Sequence, residues 1–293
     1  MRETAADRAF GVFVYFCLAV VLMIVLYPLI FVVSASISNP ITVLRGEMVL
    51  FPTEISFVGY ERIFGNREIL TGYGNTVLYT AVGTSINLLM TILAAYPLSR
   101  KDFAGRQVIT WFIVFTMFFS GGLIPTYLLV KNLGLINTMW ALILPGAVSV
   151  WNIIIMRTFF QSSIPGEIQE SAAIDGCSNT QTLIRIVLPL SAPIIAVMVL
   201  FYAVGHWNAY FSALIYLNDR GKYPLQLFLR EILIKSEVDQ MAGSMTTNTQ
   251  AYLMEAEAIK YAIVIVANLP VLLLYPFLQK YFVKGIMIGA IKG

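Results

Sequence analysis

Charge is what this 293-residue sequence most lacks. Only 12% of its residues are Asp, Glu, Lys or Arg, against 58% hydrophobic, about half the charged share of a soluble domain. With a mean hydropathy of +0.79, the composition is that of a polytopic membrane protein. The net charge of +3 is spread over loops without a basic block, so nothing supports nucleic-acid binding. Histidine occurs once, at His206, and cysteine twice, Cys17 in the first apolar run and Cys177 in a polar interval. No metal site or disulfide framework follows. The phosphate-binding pattern GxxxxGK[ST] is missing, so the sequence offers no ATP-hydrolysis site of that kind. An intramembrane enzyme would need a nucleophile with a paired base, and a lone His206 among scattered serines has no such partner.

What is present is a set of long uncharged windows, at 9–44, 69–99, 107–130, 132–156, 186–218 and 261–279. Each reaches roughly the 20 residues that a helix needs to cross the hydrocarbon core. They predict an all-α chain in one transmembrane domain, with six spans near 10–37, 75–98, 107–130, 138–157, 188–217 and 261–280. No Asp or Glu lies inside them, as expected where a buried charge is costly. Ser34-Ala35-Ser36 could pass for a signal-peptidase site, but the apolar run before it is longer than a signal peptide's, which points to a retained anchor. Pro28 is expected to kink that span. Ser120-Gly121-Gly122 and Pro125 in the third window require neighbouring protein or a cavity to satisfy freed backbone groups, and the fourth window contains Pro145 and Gly146. Polar residues in the spans, Asn87, Asn152, His206, Trp207, Asn208 and Tyr210, are candidates for a translocation path. For His206 the expectation is a helix–helix hydrogen bond.

Lys and Arg are split almost evenly between the two sides of such a topology, so their count does not orient it. Those in short segments, among them Arg2, Arg8, Arg100, Lys101, Arg106, Arg157 and Arg185, favour cytoplasmic termini. Two outer loops are then predicted, 38–74 and 218–260. Tyr60, Ile63 and Phe64 give the first enough apolar side chains to pack as a short helix on the membrane face. The second contains LQLFLREILIKSEVDQ, an amphipathic helical pattern, followed by a small, polar tip at 241–250. Asp219, Arg220, Lys222, Tyr223 and Arg230 make this loop a candidate dock for an extracytoplasmic partner.

The inner loop 158–187 carries the most specific signal. Pro165 and Gly166 break the preceding segment, a short helix with acids near its start follows, and Gly176 ends it. Ala172, Ala173 and Ile174 give it a shallow apolar face, while Glu167, Glu170 and Asp175 offer acceptors to a basic partner. A second helical run, 180–187, leads to Pro189, which suits the first turn of a membrane helix. Glu170-Ser171-Ala172, three residues, Gly176, nine residues, Ile186, one residue, Leu188-Pro189: this spacing resembles the Glu-Ala-Ala loop of ABC importer permeases. Ser171 departs from the usual alanine and is small enough to keep the fit.

The resemblance extends to FSGGLIPTYLLVKNLGLINTMWALILP, to YAVGHWNAYFSALIYL and to the tail ending Ile291-Lys292-Gly293, all similar to carbohydrate-importer permeases related to the maltose permease. It implies a type I importer in the bacterial inner membrane with both termini cytoplasmic. The importer would comprise a second homologous permease forming a heterodimer, two ATPase subunits and an extracytoplasmic solute-binding protein, with ATP and magnesium on the ATPases and no cofactor in this chain. Glu167, Glu170, Ser171, Ala172, Ala173, Asp175, Gly176, Ile186, Leu188 and Pro189 would then form the ATPase-coupling element. Lys284, Gly285, Gly289, Lys292 and Gly293 would lie in a tail between the ATPases. The cargo implied is an oligosaccharide, with an acidic, alginate-like one as first expectation and a neutral one such as a maltodextrin as the alternative. An ATP-independent secondary transporter or channel would also explain the spans, but would need an intramembrane carboxylate or a repeat symmetry that the sequence does not show.

Overall fold

The computed structural model describes residues 4–242, 256–274, 276 and 279, and every regular element among them is a helix. In chain order the helices are α1 (Ala5–Ser36), α2 (Pro40–Leu44), α3 (Val58–Gly65), α4 (Arg67–Ser99), α5 (Arg106–Phe118), α6 (Leu123–Asn132) and α7 (Trp140–Ile143). They continue as α8 (Val150–Ser163), α9 (Gly166–Ile174), α10 (Asn179–Thr182), α11 (Leu188–Leu190), α12 (Ala192–Trp207), α13 (Phe211–Tyr216), α14 (Leu225–Ala242) and α15 (Ala256–Leu274). A π-helical stretch, Leu183–Val187, joins α10 to α11.

Three helices, α1 from Asp7, α4 and α15, are long and apolar enough to span a membrane alone. Three bent pairs pass the same test together and give up to six spans if each pair is one: α5 with α6 (109°), Trp140–Gly146 with α8 (53°), and Asn179–Leu190 with α12 (83°). The expected third span is therefore two helices. Phe119 is extended and Gly122 has φ +83°, a conformation open to glycine alone at low cost, so the Gly-Gly step ends one helix and starts the next. The expected fifth span, 188–217, is shorter. Pro193, with no N–H to offer, starts α12 after a break at Ser191, and Asn208 caps it before α13 begins. α4 begins at Arg67 rather than near 75, because the Asn66 side chain accepts from the Glu68 N–H at 2.9 Å and starts the helix early. α1 opens with a reciprocal Thr4–Asp7 capping box and continues through Pro28. None of its residues 7–33 is buried by this chain, which leaves that surface to lipid or another subunit.

The chain divides into two units, each packed within itself. One draws on Met1–Leu70 and Phe228–Leu269. Here the end of α1 meets α3 through the Ser36–Tyr60 hydroxyl pair at 2.9 Å, and the Phe31 and Tyr261 rings meet edge-on, 5.9 Å apart. α3 docks on α15 through small residues: a Cβ at Gly59 would run into the Ala258 carbonyl and lie 2.9 Å from the Ala262 Cβ. Gly59→Leu is therefore expected to cost about 1–3 kcal/mol from overpacking, read as a lowered melting temperature of the purified chain. Gly65→Leu, with open space around Gly65, serves as control; equal melting shifts would refute the contact.

The other unit draws on Thr71–Leu227 and Pro270–Gly293. Its main core joins the end of α4 (Ala95, Tyr96, Leu98), α8 (Ile153, Met156, Phe160), the π-helical stretch (Leu183, Val187) and α12 (Ile194, Met198, Tyr202). Tyr202 also meets Thr91 at 2.6 Å, and Arg157 Nε donates to the Leu98 carbonyl at 3.0 Å. The segment after α9 is thus anchored in the same core as three membrane helices.

Candidate functional site

α9 and its flanks form a rigid arm. Ile164 is buried and Pro165 caps the start of α9, where an N–H is not needed. At the other end Gly176 takes φ +77°, the Cys177 N–H donates to the Ala172 carbonyl at 2.9 Å and the Gly176 N–H to the Ala173 carbonyl at 3.1 Å. These two bonds are the pair that closes a Schellman turn, and they explain why a glycine stands there. One residue later the Ser178 hydroxyl accepts from the Gln181 N–H, and the Gln181 side chain accepts from the Ser178 N–H at 2.9 Å. Two capped ends separated by Cys177 alone leave the bend little freedom.

On this arm the predicted residues divide into two groups. Ala172 is 4% exposed and packs inward. Glu167, Glu170, Ser171, Ala173, Asp175 and Gly176 are exposed. Ile174, expected on one apolar face with Ala172 and Ala173, is 87% exposed, the most exposed large hydrophobic residue among those described. The segment 166–175 holds three acids and no base, so it presents an isolated apolar side chain in an acidic setting. Ile186 and Leu188 are half-buried, with Leu188 against the main core, while Pro189 is exposed in α11. Leu183 and Val187, one helical turn apart, seat the arm in the core after α9, as Ile164 does before it. Only their i, i+4 spacing could have marked them.

The polar residues of the spans are largely committed to one another. Asn87 Nδ2 donates to the Gly146 carbonyl at 2.6 Å, the acceptor freed where the Trp140–Gly146 segment breaks before α8. Asn87 Oδ1 accepts from His206 Nε2, also at 2.6 Å, which makes the lone histidine a helix–helix donor. Trp207 is buried and edge-on to Tyr73, centroids 5.7 Å apart, a packing role rather than an open stacking platform. Asn152 is buried, whereas Asn208 and Tyr210 are exposed.

The segment 218–224 is strapped down. Asn137, at φ +62°, accepts through Oδ1 from the Asn218 and Asp219 N–H groups, and its carbonyl accepts from Lys222 Nζ at 3.0 Å. Asn75 donates to the Gly221 and Tyr223 carbonyls, and Tyr79 to that of Lys222. Asp219 pairs with Lys222 at 3.6 Å, and Arg220 lies over the Tyr223 ring. Arg230 is half-buried on α14. Residues 243–250 of the expected tip and Lys284, Gly285, Gly289, Lys292 and Gly293 of the tail lie outside the described residues. Among the described residues no group of three or more His, Cys, Asp or Glu could hold a metal ion.

Comparison with known proteins covers nearly the whole chain. The family described as "Binding-protein-dependent transport system inner membrane component" matches residues 1–288. The chain is 44% identical to the polygalacturonan/rhamnogalacturonan transport system permease protein YtcP of Bacillus subtilis, over 98% of this chain and 99% of that one. It is 31% identical to the galactooligosaccharides transport system permease protein GanQ of the same organism, over 96% and 95%. A chain in a crystal structure of a bacterial ABC transporter involved in the import of the acidic polysaccharide alginate superposes with a TM-score of 0.86 at 32% identity, covering 96% of this chain and 99% of that one.

Proposed function

The chain belongs to the family of binding-protein-dependent transport system inner membrane components, and on that premise we propose that it carries an acidic, uronate-bearing oligosaccharide into the cytoplasm. As a member of that family it is a multi-pass inner-membrane permease subunit of an ABC importer for oligosaccharides. It has no catalytic role of its own and works with ATPase subunits that use the ATP and with a substrate-binding protein.

The observation that carries the mechanism is α9. Ile174 projects from a capped helix rich in acids, while Leu183 and Val187 fix the same arm in a core shared with α4, α8 and α12. An ATPase cleft with an apolar floor and basic rim would take Ile174 and pair with Glu167, Glu170 or Asp175. Closure of the ATPases would then move the arm as a lever and shift the helices of that core, alternating access to the path. The arm and both termini face the cytoplasm in this reading, and Lys284 to Gly293 extend toward the ATPases. Asp219, Arg220, Lys222, Tyr223 and Arg230 face the binding protein. The partner permease is a different, homologous chain, and Asn208 and Tyr210 are the exposed polar residues best suited to meet cargo.

The acidic cargo is supported by two relatives, one named for polygalacturonan and rhamnogalacturonan and one for alginate. Galacturonan and alginate share a uronate carboxylate on their sugar rings, so the class follows from the chemistry common to both names. A neutral galacto-oligosaccharide is the competing cargo. The test is ATPase stimulation of the reconstituted importer with its binding protein. Galacturonate or alginate oligomers are expected to stimulate at concentrations at least about tenfold below any neutral oligosaccharide. Equal or better stimulation by galacto-oligosaccharides or maltodextrins would overturn the acidic assignment and leave the importer assignment standing.

A further inference from the structure

Beyond the arm and the path, the second unit contains a cavity of about 440 Å³ where α4 ends, between the loop 100–104 and the start of α10. This volume is in the range that takes a small molecule. Its charged lining is one ion pair, with Tyr96, Asn179 and Thr180 as the other polar residues. Arg100 donates from Nε and Nη2 to the two carboxylate oxygens of Asp102 at 2.8 and 2.7 Å, and from Nη1 to the Tyr96 hydroxyl at 3.1 Å. That leaves the guanidinium one N–H on each terminal nitrogen, and each carboxylate oxygen a further lone pair. Arg100 is 16% exposed and Asp102 66%. The hydrogen bonds from Arg100 hold the Asp102 carboxyl below its usual range, so both charges are present at neutral pH. Leu93, Pro97 and Leu183 contribute apolar lining. The pair directly follows a membrane helix and stands beside a tyrosine, the position at which side chains meet lipid headgroups.

We propose that this cavity binds the headgroup of a zwitterionic, ethanolamine-type phospholipid. The phosphate would take the two spare N–H groups of Arg100, the ammonium would donate to Asp102, and the first methylenes would cover Leu93, Pro97 and Leu183. Complementarity selects this occupant over others. An anionic headgroup would bring a phosphate to Arg100 but no ammonium to the spare lone pairs of Asp102, a choline headgroup has no N–H for that carboxylate, and an acyl chain alone would strip water from both charges without replacing it. The occupant would also touch Thr180, four residues past the Gly176 turn, and so link lipid to the arm.

Native mass spectrometry of the complete, delipidated importer, titrated separately with short-chain phosphatidylethanolamine, phosphatidylcholine and phosphatidylglycerol, tests this. One ethanolamine lipid is expected to bind per copy of this chain, with a preference of roughly tenfold over the other two. Ala104→Trp, which fills the cavity and leaves the ion pair, should abolish that binding. Asp102→Asn removes the negative charge that the ammonium would pair with, at an exposed position, and should invert the preference toward the anionic lipid. It remains informative if the tryptophan variant does not assemble. Equal binding of the three lipids, absence of a retained lipid, or an unchanged preference in Asp102→Asn would each overturn the assignment.

Discussion

Ile174→Glu and Glu170→Lys are each expected to leave the chain inserted and folded but to release the ATPase subunits from it. Ile174 is 87% exposed, so its side chain contributes almost nothing to the stability of the chain by itself. Buried in a partner, the same side chain is worth about 1.5–3 kcal/mol. Replacing it with a carboxylate forfeits that gain and adds the desolvation of a charge facing an apolar floor. Together these are expected to weaken docking by at least about a hundredfold. Glu170→Lys acts differently, setting a cation against a basic rim. Retention of the ATPases on affinity-purified permease measures both, with thermal unfolding of the permease as the folding control. The two changes separate the contributions. If Ile174→Glu retains ATPases stoichiometrically while Glu170→Lys loses them, the contact is electrostatic and the apolar anchor is wrong; retention in both would place the coupling elsewhere on the chain. A control at Ala172, which is buried within the permease, would not be clean, because its loss would disturb the arm and the docking together.

The elements legible in the sequence were those written in local chemistry. Uncharged windows located the membrane helices, because a charge in the bilayer is excluded wherever it falls in the chain. Gly176, with Pro165 before it, fixed the length of α9, because its αL conformation and the missing proline N–H are properties of single residues. The breaks were visible only as residues and not as angles. Gly121-Gly122 and Pro145-Gly146 are tolerated in continuous membrane helices when neighbours satisfy the backbone, and whether they are satisfied is decided by residues far away. Asn87 illustrates this. It satisfies the Gly146 carbonyl from 59 residues away and receives the His206 proton from 119 residues away. Neither distance is readable from a periodic pattern. The same limit applies to the apolar face of α9: Ala172, Ala173 and Ile174 were legible as one face, but that Ala172 turns inward and Ile174 outward depends on where Leu183 and Val187 anchor the arm. The strapping of 218–224 by Asn75, Tyr79 and Asn137 was equally hidden, because each bond ends on a backbone atom that carries no residue identity.

Gly83 provides the sharpest stability test of the helix pairing behind that arm. A glycine inside α4 should be a weakness, and alanine there ought to stabilise the helix by about 1 kcal/mol. The packing opposes this. A Cβ at Gly83 would lie 2.5 Å from Nε2, 2.6 Å from Cε1 and 2.8 Å from Cδ2 of His206, closer than van der Waals contact on three atoms of one ring. The ring cannot swing away freely, because Nε2 is held by Asn87, which in turn holds Gly146. Gly83→Ala must therefore shift α12 from α4 or break that hydrogen bond. Overpacking of this kind costs about 1–3 kcal/mol, and loss of an interhelical hydrogen bond in a membrane protein averages about 0.6 kcal/mol. The clash outweighs propensity, and Gly83→Ala is expected to be net destabilising. His206→Ala alone is also destabilising, since it leaves the Asn87 amide oxygen without its donor. Combined, the two are expected to be more stable than Gly83→Ala alone, because removing the ring makes room for the methyl. The double-mutant cycle should return a coupling of about 1 kcal/mol or more, read from unfolding of the purified permease. Additivity within experimental error would mean that Gly83 and His206 do not meet, and with it would fall the account of how Asn87 holds the break in the fourth span.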